Sequence, residues 1–394
     1  MRPHLLIALL SFSVAAQASE PDLFGFGARS SAMAGTGAAD SESYESSYVN
    51  PAGLVDPTRR RLTLSYVGAF YHVRMDGVRR AVQDTEAMVF GAVLPLPFGG
   101  VLKDRLALGV GFYFPFGVIN RARAPFPNET RLVLLDDRTQ VVSVTGALGV
   151  RLHARVTFGI GILALAALSG QIVLRPDASG SITTVSEEQL VVSYAPVIGL
   201  RVVANRWLRL GLVFRGESKS SYDIEIKNSL GGALPVEIPT LRLAGTAQYD
   251  PLQMTLESSM RCKFAVFNVA LNWKHWSPFP QPTLNATLGA PPLPDPNFHD
   301  TVVPRLGIEI AQQASQFQII ERLGYFFEWS PAPGGSDRVL LDGNRHAVTA
   351  GFGIEWKSRL TTLQSDLFIQ WHHLTGARTG GDLAALGLSV GIDL

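Results

Sequence analysis

Apolar side chains recur at every second position in one segment of this chain after another, and that periodicity limits what the chain can become. Leu106, Leu108, Val110, Phe112 and Phe114 form one series. Val142, Val144, Leu148, Val150 and Leu152 form another, and Leu208, Leu210, Leu212 and Phe214 a third. The pattern returns at Val348, Ala350, Phe352, Ile354 and Trp356, and at Leu363, Leu367, Ile369 and Trp371. The chain ends on Leu386, Leu388, Val390, Ile392 and Leu394. A period of two gives each strand one apolar face. The intervening residues are small or polar: Ala107, Gly109 and Gly111; Thr349, Gly351 and Gly353; Gln364, Asp366 and Gln370. A soluble sandwich would show the same alternation, so the period alone does not say what lies outside the sheet.

The connections say more. About fourteen strand candidates can be counted, an even number within the range of bacterial barrels. Tight links at His153 with Ala154, Asn205 with Arg206, Asp250 with Pro251, and Ser358 with Arg359 alternate with long polar or Pro-rich stretches. The long stretches are 117–138, 171–188, 217–237, 276–300 and 331–343. Short turns at one rim and long loops at the other are the rhythm of an outer-membrane barrel. The phase is least defined over 250–276. Trp273, Trp276, Trp329, Trp356 and Trp371 fall near strand ends, where aromatic girdles meet the two membrane interfaces, although any one of them could be a core tryptophan.

The N-terminus reads as a secretory leader. Arg2 supplies the positive charge, residues 5–16 the apolar run, and Ala16, Gln17 and Ala18 a small-x-small site, which predicts cleavage after Ala18. The best later candidate for a spanning helix, residues 156–168, is shorter than the roughly 20 residues required and contains Gly159 and Gly161. A leader without a later spanning helix leaves a periplasmic protein, a secreted protein or a barrel.

Composition fits the last of these. The chain has 394 residues, 46% hydrophobic and 17% charged, with mean hydropathy +0.17. Strands with one lipid face and one polar face average to such values. The net charge of +1 carries no basic stripe, so no nucleic-acid partner is expected. The single cysteine, Cys262, excludes an internal disulfide, a CxxC pair and a Cys-rich zinc site. His372 and His373 are adjacent on a strand and point to opposite faces, so they cannot chelate one metal. No HExxH or GxSxG is present, and the lone GxG of Gly25 and Gly27 follows no strand. No catalytic residue, metal or cofactor is therefore expected.

If the apolar positions face lipid, their neighbours face a lumen. That places Arg201, Arg209, Arg215, Arg242, Arg305, Glu309, Arg322, Glu355, Asp366, Gln370 and His372 inside. Charges on the lipid face would cost about 2–4 kcal/mol near the midplane, which supports the assignment. Most of these groups are expected to form a salt-bridge network that fills the lumen and holds the N-terminal segment. Arg215 and Arg322 are the candidates for a guanidinium that grips a ligand carboxylate.

The stretch 24–54, FGFGARSSAMAGTGAADSESYESSYVNPAGL, resembles the N-terminal segment of the FadL family of outer-membrane transporters. The resemblance rests on Gly27 and Arg29, Met33 with Gly35, the small run Gly37, Ala38 and Ala39, and the motif Asn50, Pro51, Ala52, Gly53. FYFPFG (112–117), RLGYFFEWSP (322–331) and Asn344, Arg345, His346 extend it along the chain. The terminal Leu394 departs from the Phe that commonly ends such barrels.

The resemblance implies an all-β transmembrane antiparallel barrel in the bacterial outer membrane, with three parts: a leader over 1–18, a lumenal hatch over 19–57 and the barrel over 58–394. It implies passive uptake of hydrophobic small molecules, either long-chain fatty acids or aromatic hydrocarbons. Outer loops would capture the ligand, the hatch would shift, and release would be sideways through a kinked third strand. Phe24, Phe26, Phe112 and Phe114 are then ligand-contact candidates, and Gly111, Pro115 and Gly117 mark the kink, unless Pro115 simply marks the strand's outer end. Residues 19–57 are low in bulk, as a plug requires, though the same composition could make a free tail. The expected partners are the ligand, outer-membrane lipid and lipopolysaccharide, with the protein acting as a monomer. The alternative is a scaffold barrel that works with a protein partner in secretion or envelope assembly.

Overall fold

The computed structural model describes residues 19–56, 60–116, 130–135, 142–176, 182–228, 241–282, 295–335 and 338–394. Fourteen antiparallel strands close into a barrel. They are β1 (Arg61–Met75), β2 (Thr85–Pro95), β3 (Leu106–Pro115), β4 (Ser143–His153), β5 (Val156–Pro176), β6 (Ile182–Val203) and β7 (Leu208–Arg215, continued as Ser218–Asn228). The remainder are β8 (Leu241–Asp250, continued as Leu252–Arg261), β9 (Ala265–His275), β10 (Thr301–Ala314), β11 (Phe317–Glu328), β12 (Asn344–Lys357), β13 (Thr362–Thr375) and β14 (Thr379–Asp393). Each pairs with its sequence neighbours, and β14 returns to β1 over the whole length from Arg61↔Asp393 to Met75↔Thr379. Closure removes both sheet edges, so backbone N–H and C=O groups are satisfied without water.

The period-two series lie where the alternation places them. Leu108, Phe112, Leu212, Phe352, Leu367, Ile369, Leu388 and Val390 are exposed on the outer wall. Ala107, Gly109, Gly111 and Tyr113 face inward between the outward residues of β3. Trp329 and Trp371 are exposed at the long-loop end. Trp276 is the exception among the expected girdle residues. It is buried against Tyr249, Phe279 and Phe298 under the outer loops.

One of the expected tight links is not a turn. Asp250 and Pro251 lie in the middle of β8, where Pro251 lacks an N–H for the ladder. The facing break in β7 is at Gly216 and Glu217, and the register is in phase across it, from Arg215↔Gln253 to Ser218↔Asp250. The true turn is at 262–264 and carries the exposed Cys262. Two expected loops shrink accordingly. The 217–237 stretch is strand up to Asn228, and the 171–188 stretch is strand up to Pro176 and again from Ile182. At this end the hairpin of β5 and β6 crosses over, so that 169–174 of β5 pairs in parallel with 223–228 of β7.

Residues 19–56 fold inside the barrel as three short helices and a 3-10 turn: α1 (Glu20–Phe24), α2 (Ala28–Ala32), α3 (Ser46–Val49) and Pro51–Val55. Almost every residue of this segment is buried. The expected leader and Gly117 lie outside the described residues, as does the side chain of Arg242.

Leu367 tests the lipid assignment. Leu367→Arg should lower the stability of the refolded barrel by about 2–4 kcal/mol in a denaturant titration in lipid vesicles. An unchanged midpoint would mean that this wall does not face hydrocarbon.

Candidate functional site

The hatch is built from short caps because its helices are too short to stand by propensity. Ser19 caps α1 by accepting a hydrogen bond from the Asp22 N–H at 3.2 Å, and Pro21 sits in the first turn. Gly25, at φ +95°, ends α1 in a conformation that L side chains avoid. The N-terminus of α2 is capped from a distance: the Glu45 carboxylate accepts from the N–H groups of Arg29 and Ser30 at 3.1 and 2.9 Å. Gly27 is required there because a Cβ would collide with the Glu45 side chain. Asn50 caps the 3-10 turn by accepting from the Ala52 N–H at 3.0 Å, and its amide donates to Ala38 O.

The barrel wall is shaped to receive this plug. Gly149, Gly159 and Gly199 are directly paired in one row across β4, β5 and β6, all facing inward. A Cβ at Gly159 would collide with the backbone of Pro51 and Ala52, and one at Gly199 with Asn50. Gly111 leaves room for the Phe26 ring, and Gly211 for the backbone at Ala38 and Ala39. The Asn50, Pro51, Ala52, Gly53 motif thus meets a complementary strip of glycine.

Ionic contacts then fix the plug. On the outer side Asp22 binds Lys274 at 2.7 Å, Lys274 binds Glu328 at 2.7 Å, and Glu328 pairs with Arg345. On the inner side Arg29 binds Asp40 and Glu309, each at 2.9 Å, and Arg322 binds Glu309 at 2.7 Å and Asp366 at 2.6 Å. Arg201 reaches Asp56 at 2.6 Å and Arg209 reaches Glu42 at 2.9 Å. Glu257 accepts from three successive hatch amides, those of Gly37, Ala38 and Ala39, at 2.8, 3.0 and 3.1 Å. Burial alone would raise the carboxyl groups of Asp22 and Asp40, but Lys274 and Arg29 respectively outweigh it and hold both below the usual range. Burial raises the hydroxyls of Tyr44 and Tyr48.

Cavities remain among the described residues. One of about 60 Å³ is enclosed by Phe24, Phe26, Tyr48 and Phe326 together with Arg215, Asn272 and Arg305. One of about 30 Å³ lies on the other side of α1, between Leu23, Leu134, Leu135, Trp276 and Trp329. Asp22 and Leu23 border both, so α1 is the partition between them. A larger polar space of about 420 Å³ lies beneath the hatch, lined by Arg29, Arg61, Arg261, Arg322, Glu355 and Asp366.

The sequence-predicted residues divide on this geometry. Phe24 and Phe26 are buried at the small cavity, with Phe26 stacked on Tyr48. Phe112 and Phe114 are not at it. They stand in the outward phase of β3 and are exposed on the outer wall, while the inward aromatic of that strand is Tyr113, which donates to Glu20. Arg322 is engaged by two carboxylates, Glu309 through Nε and Asp366 through Nη1, in the inner latch. Arg215 stacks on the Tyr48 ring at 3.8 Å and donates to Tyr48 O, but its Nε has no partner among the described residues. Gly111 leaves the ladder of β3 unbroken: it is paired in register with Gly91 and Thr145. Pro115 is the last residue of the strand, and the ladder to β4 stops earlier, at Tyr113↔Ser143. Sequence reasoning missed Asp22, Glu257, Lys274 and Glu328. The last three alternate in phase with outward apolar neighbours, a signal that the misread turn at Pro251 hid for Glu257 and Lys274.

A barrel with fourteen strands, an outward apolar wall and an ionically latched plug defines an outer-membrane transport protein. A family model described as outer membrane protein transport protein (OMPP1/FadL/TodX) matches residues 5–366, and the chain belongs to that family of transport channels. The protein is a bacterial outer-membrane protein and not an enzyme. Similar solved folds include a Pseudomonas aeruginosa FadL homologue, at 13% identity over 97% of this chain and 98% of that one, with TM-score 0.57. The P. putida toluene transporter TodX is similar at 14% identity over 95% and 99%, with TM-score 0.59. The CymD monoaromatic hydrocarbon channel is similar at 14% identity over 94% and 98%, with TM-score 0.56. No curated protein matches the sequence.

Two outcomes follow from the latches. Lys274→Met leaves Asp22 and Glu328 without their shared cation and should loosen the hatch by about 3–5 kcal/mol, read as protease cleavage within 19–56 while the barrel keeps its heat-resistant gel mobility. Asp22 and Asp40 have depressed carboxyl pKa values when folded, so their contribution is complete above the ordinary value of 3.8 and is lost as pH falls below it. The part of hatch retention that these two groups supply, followed by a fluorophore on the hatch, should therefore be lost as pH falls below about 4.

Proposed function

We propose that this protein carries small hydrophobic compounds across the outer membrane by energy-independent diffusion, with compact aromatic hydrocarbons preferred over long-chain fatty acids. The observation that carries the reading is the ring-lined cavity of about 60 Å³ beneath α1. It is smaller than the roughly 150 Å³ cavity that takes up benzene in a protein interior, so even one ring requires the hatch to yield, and a long chain requires far more. Relatives described as a toluene transporter and a monoaromatic hydrocarbon channel support the same class.

The route begins at the outer pocket of Leu134, Leu135, Trp276 and Trp329, passes α1 once it swings aside, and reaches Phe24, Phe26 and Tyr48. Arg215, through its unpartnered Nε, would hold any polar substituent on the ring. Release sideways is proposed at the outer end of β3, beyond Tyr113, its last residue paired with β4 among the described residues. The hatch that fills the lumen also fits a scaffold barrel, whose ligand would be a protein.

Native mass spectrometry of the intact barrel in mild detergent, beside a form lacking 19–57, separates the two. Toluene should be retained by the intact protein and lost from the truncated one, and vesicles carrying the intact protein should take up toluene faster than empty vesicles. An absence of bound toluene in both forms, with a protein carried through purification, would establish the scaffold instead.

A further inference from the structure

Most of the buried carboxylates that seat the hatch, among the described residues, meet a cation or a set of backbone amides. Asp22, Asp40, Glu309, Glu328 and Asp366 each meet a lysine or arginine. Glu257 has three backbone amides instead. Asp250 has neither arrangement. It is buried, at 2% exposure, and no ion pair joins it to a described side chain. It accepts from the Ser218 hydroxyl at 3.2 Å and the Gln248 amide at 3.3 Å, both neutral. Its shortest contact, at 2.6 Å from Oδ1, is the backbone nitrogen of Ser19. An uncompensated buried charge is costly, and a contact this short is typical of a charge-assisted hydrogen bond.

We propose that the cation for Asp250 is the chain's own α-ammonium group, created at Ser19 when the leader is removed after Ala18. The proposal rests on that cleavage position and is independent of the ligand. Peptide hydrolysis at the Ala18–Ser19 bond adds one water, gives Ala18 a carboxylate, and turns a neutral amide nitrogen into an ammonium at the spot where Asp250 lies. Before cleavage the same nitrogen offers one neutral N–H, and afterwards a positive charge and three donors. Ser19 also caps α1 through its hydroxyl, and Asp22 in that helix holds Lys274. Pinning Ser19 therefore holds the partition between the outer pocket and the ring-lined cavity. Removal of the leader is thus the step that completes the seat of the hatch, and the seat itself is the position of β8 just before Pro251.

The experiment is competitive acetylation of the folded, mature barrel with an amine-reactive ester, read by peptide mass spectrometry. The exposed Lys103, Lys263 and Lys357 serve as internal references. The Ser19 amine should react roughly tenfold or more slowly than these, because reaction requires local opening. Asp250→Asn, which keeps shape and an acceptor oxygen, should raise the Ser19 rate towards that of the lysines. A mature chain carrying two extra residues before Ser19 should label rapidly at its new terminus and expose α1 to protease. A Ser19 amine as reactive as the lysines in the unaltered protein, a rate indifferent to Asp250→Asn, or a mature terminus other than Ser19 would overturn the proposal.

Discussion

Hydrocarbon outside the wall offers no partner to a peptide group, and the closed ladder from β1 through β14 answers that constraint. Closure has a consequence on the inner face. Fourteen strands enclose a space too wide for their own side chains to fill, and their inward positions carry arginine, lysine and carboxylate. Those charges need partners away from water. The hatch supplies them, which is why a segment of five-residue helices holds a defined position at all.

The plug and the wall are complementary in two ways, and the two operate on different residues. Shape is set by glycine: the row Gly149, Gly159 and Gly199 lets the 3-10 turn at Pro51–Val55 approach backbone to backbone. Position is set by charge, in an outer latch around Asp22 and Lys274 and an inner one around Arg29 and Arg322. The inner latch borders the large polar space beneath the hatch. The outer latch is almost dry, with Lys274 at 1% exposure. A ligand arriving from outside meets the dry latch first. Breaking an ion pair there would leave charges with no water to take them up.

The aromatic residues follow the same division of labour. Phe24, Phe26 and Tyr48 belong to the hatch and line the inner cavity. Trp276, Phe279 and Phe298 belong to the fixed rim and stack among themselves. Between the two groups stands α1, five residues long, held by Ser19 at one end and Gly25 at the other. A short, capped and charged partition can move without disturbing the ladder that holds the barrel together.

The alternation in β3, β12, β13 and β14 determined by itself that these segments are strands with one face toward lipid, because period two is a local property of an extended backbone. The same local reasoning placed Arg201, Arg305 and Arg322 inside. It failed where local and global signals diverge. Asp250 with Pro251 has the composition of a turn, yet β7 pairs with β8 in one register before and after it, and the phase of Glu257 and Lys274 was lost with that misreading. Phe112 and Phe114 are ligand-contact candidates by the family resemblance, whereas the alternation of β3 puts them in its lipid-facing series, and in the closed wall both are exposed there. The glycine of Gly159 is unremarkable in sequence; its purpose appears only when residue 51 is folded back against it from more than a hundred positions away. Periodicity is written along the chain, whereas the partner of a buried charge or the neighbour of a missing side chain is decided by closure of the barrel around its own N-terminus.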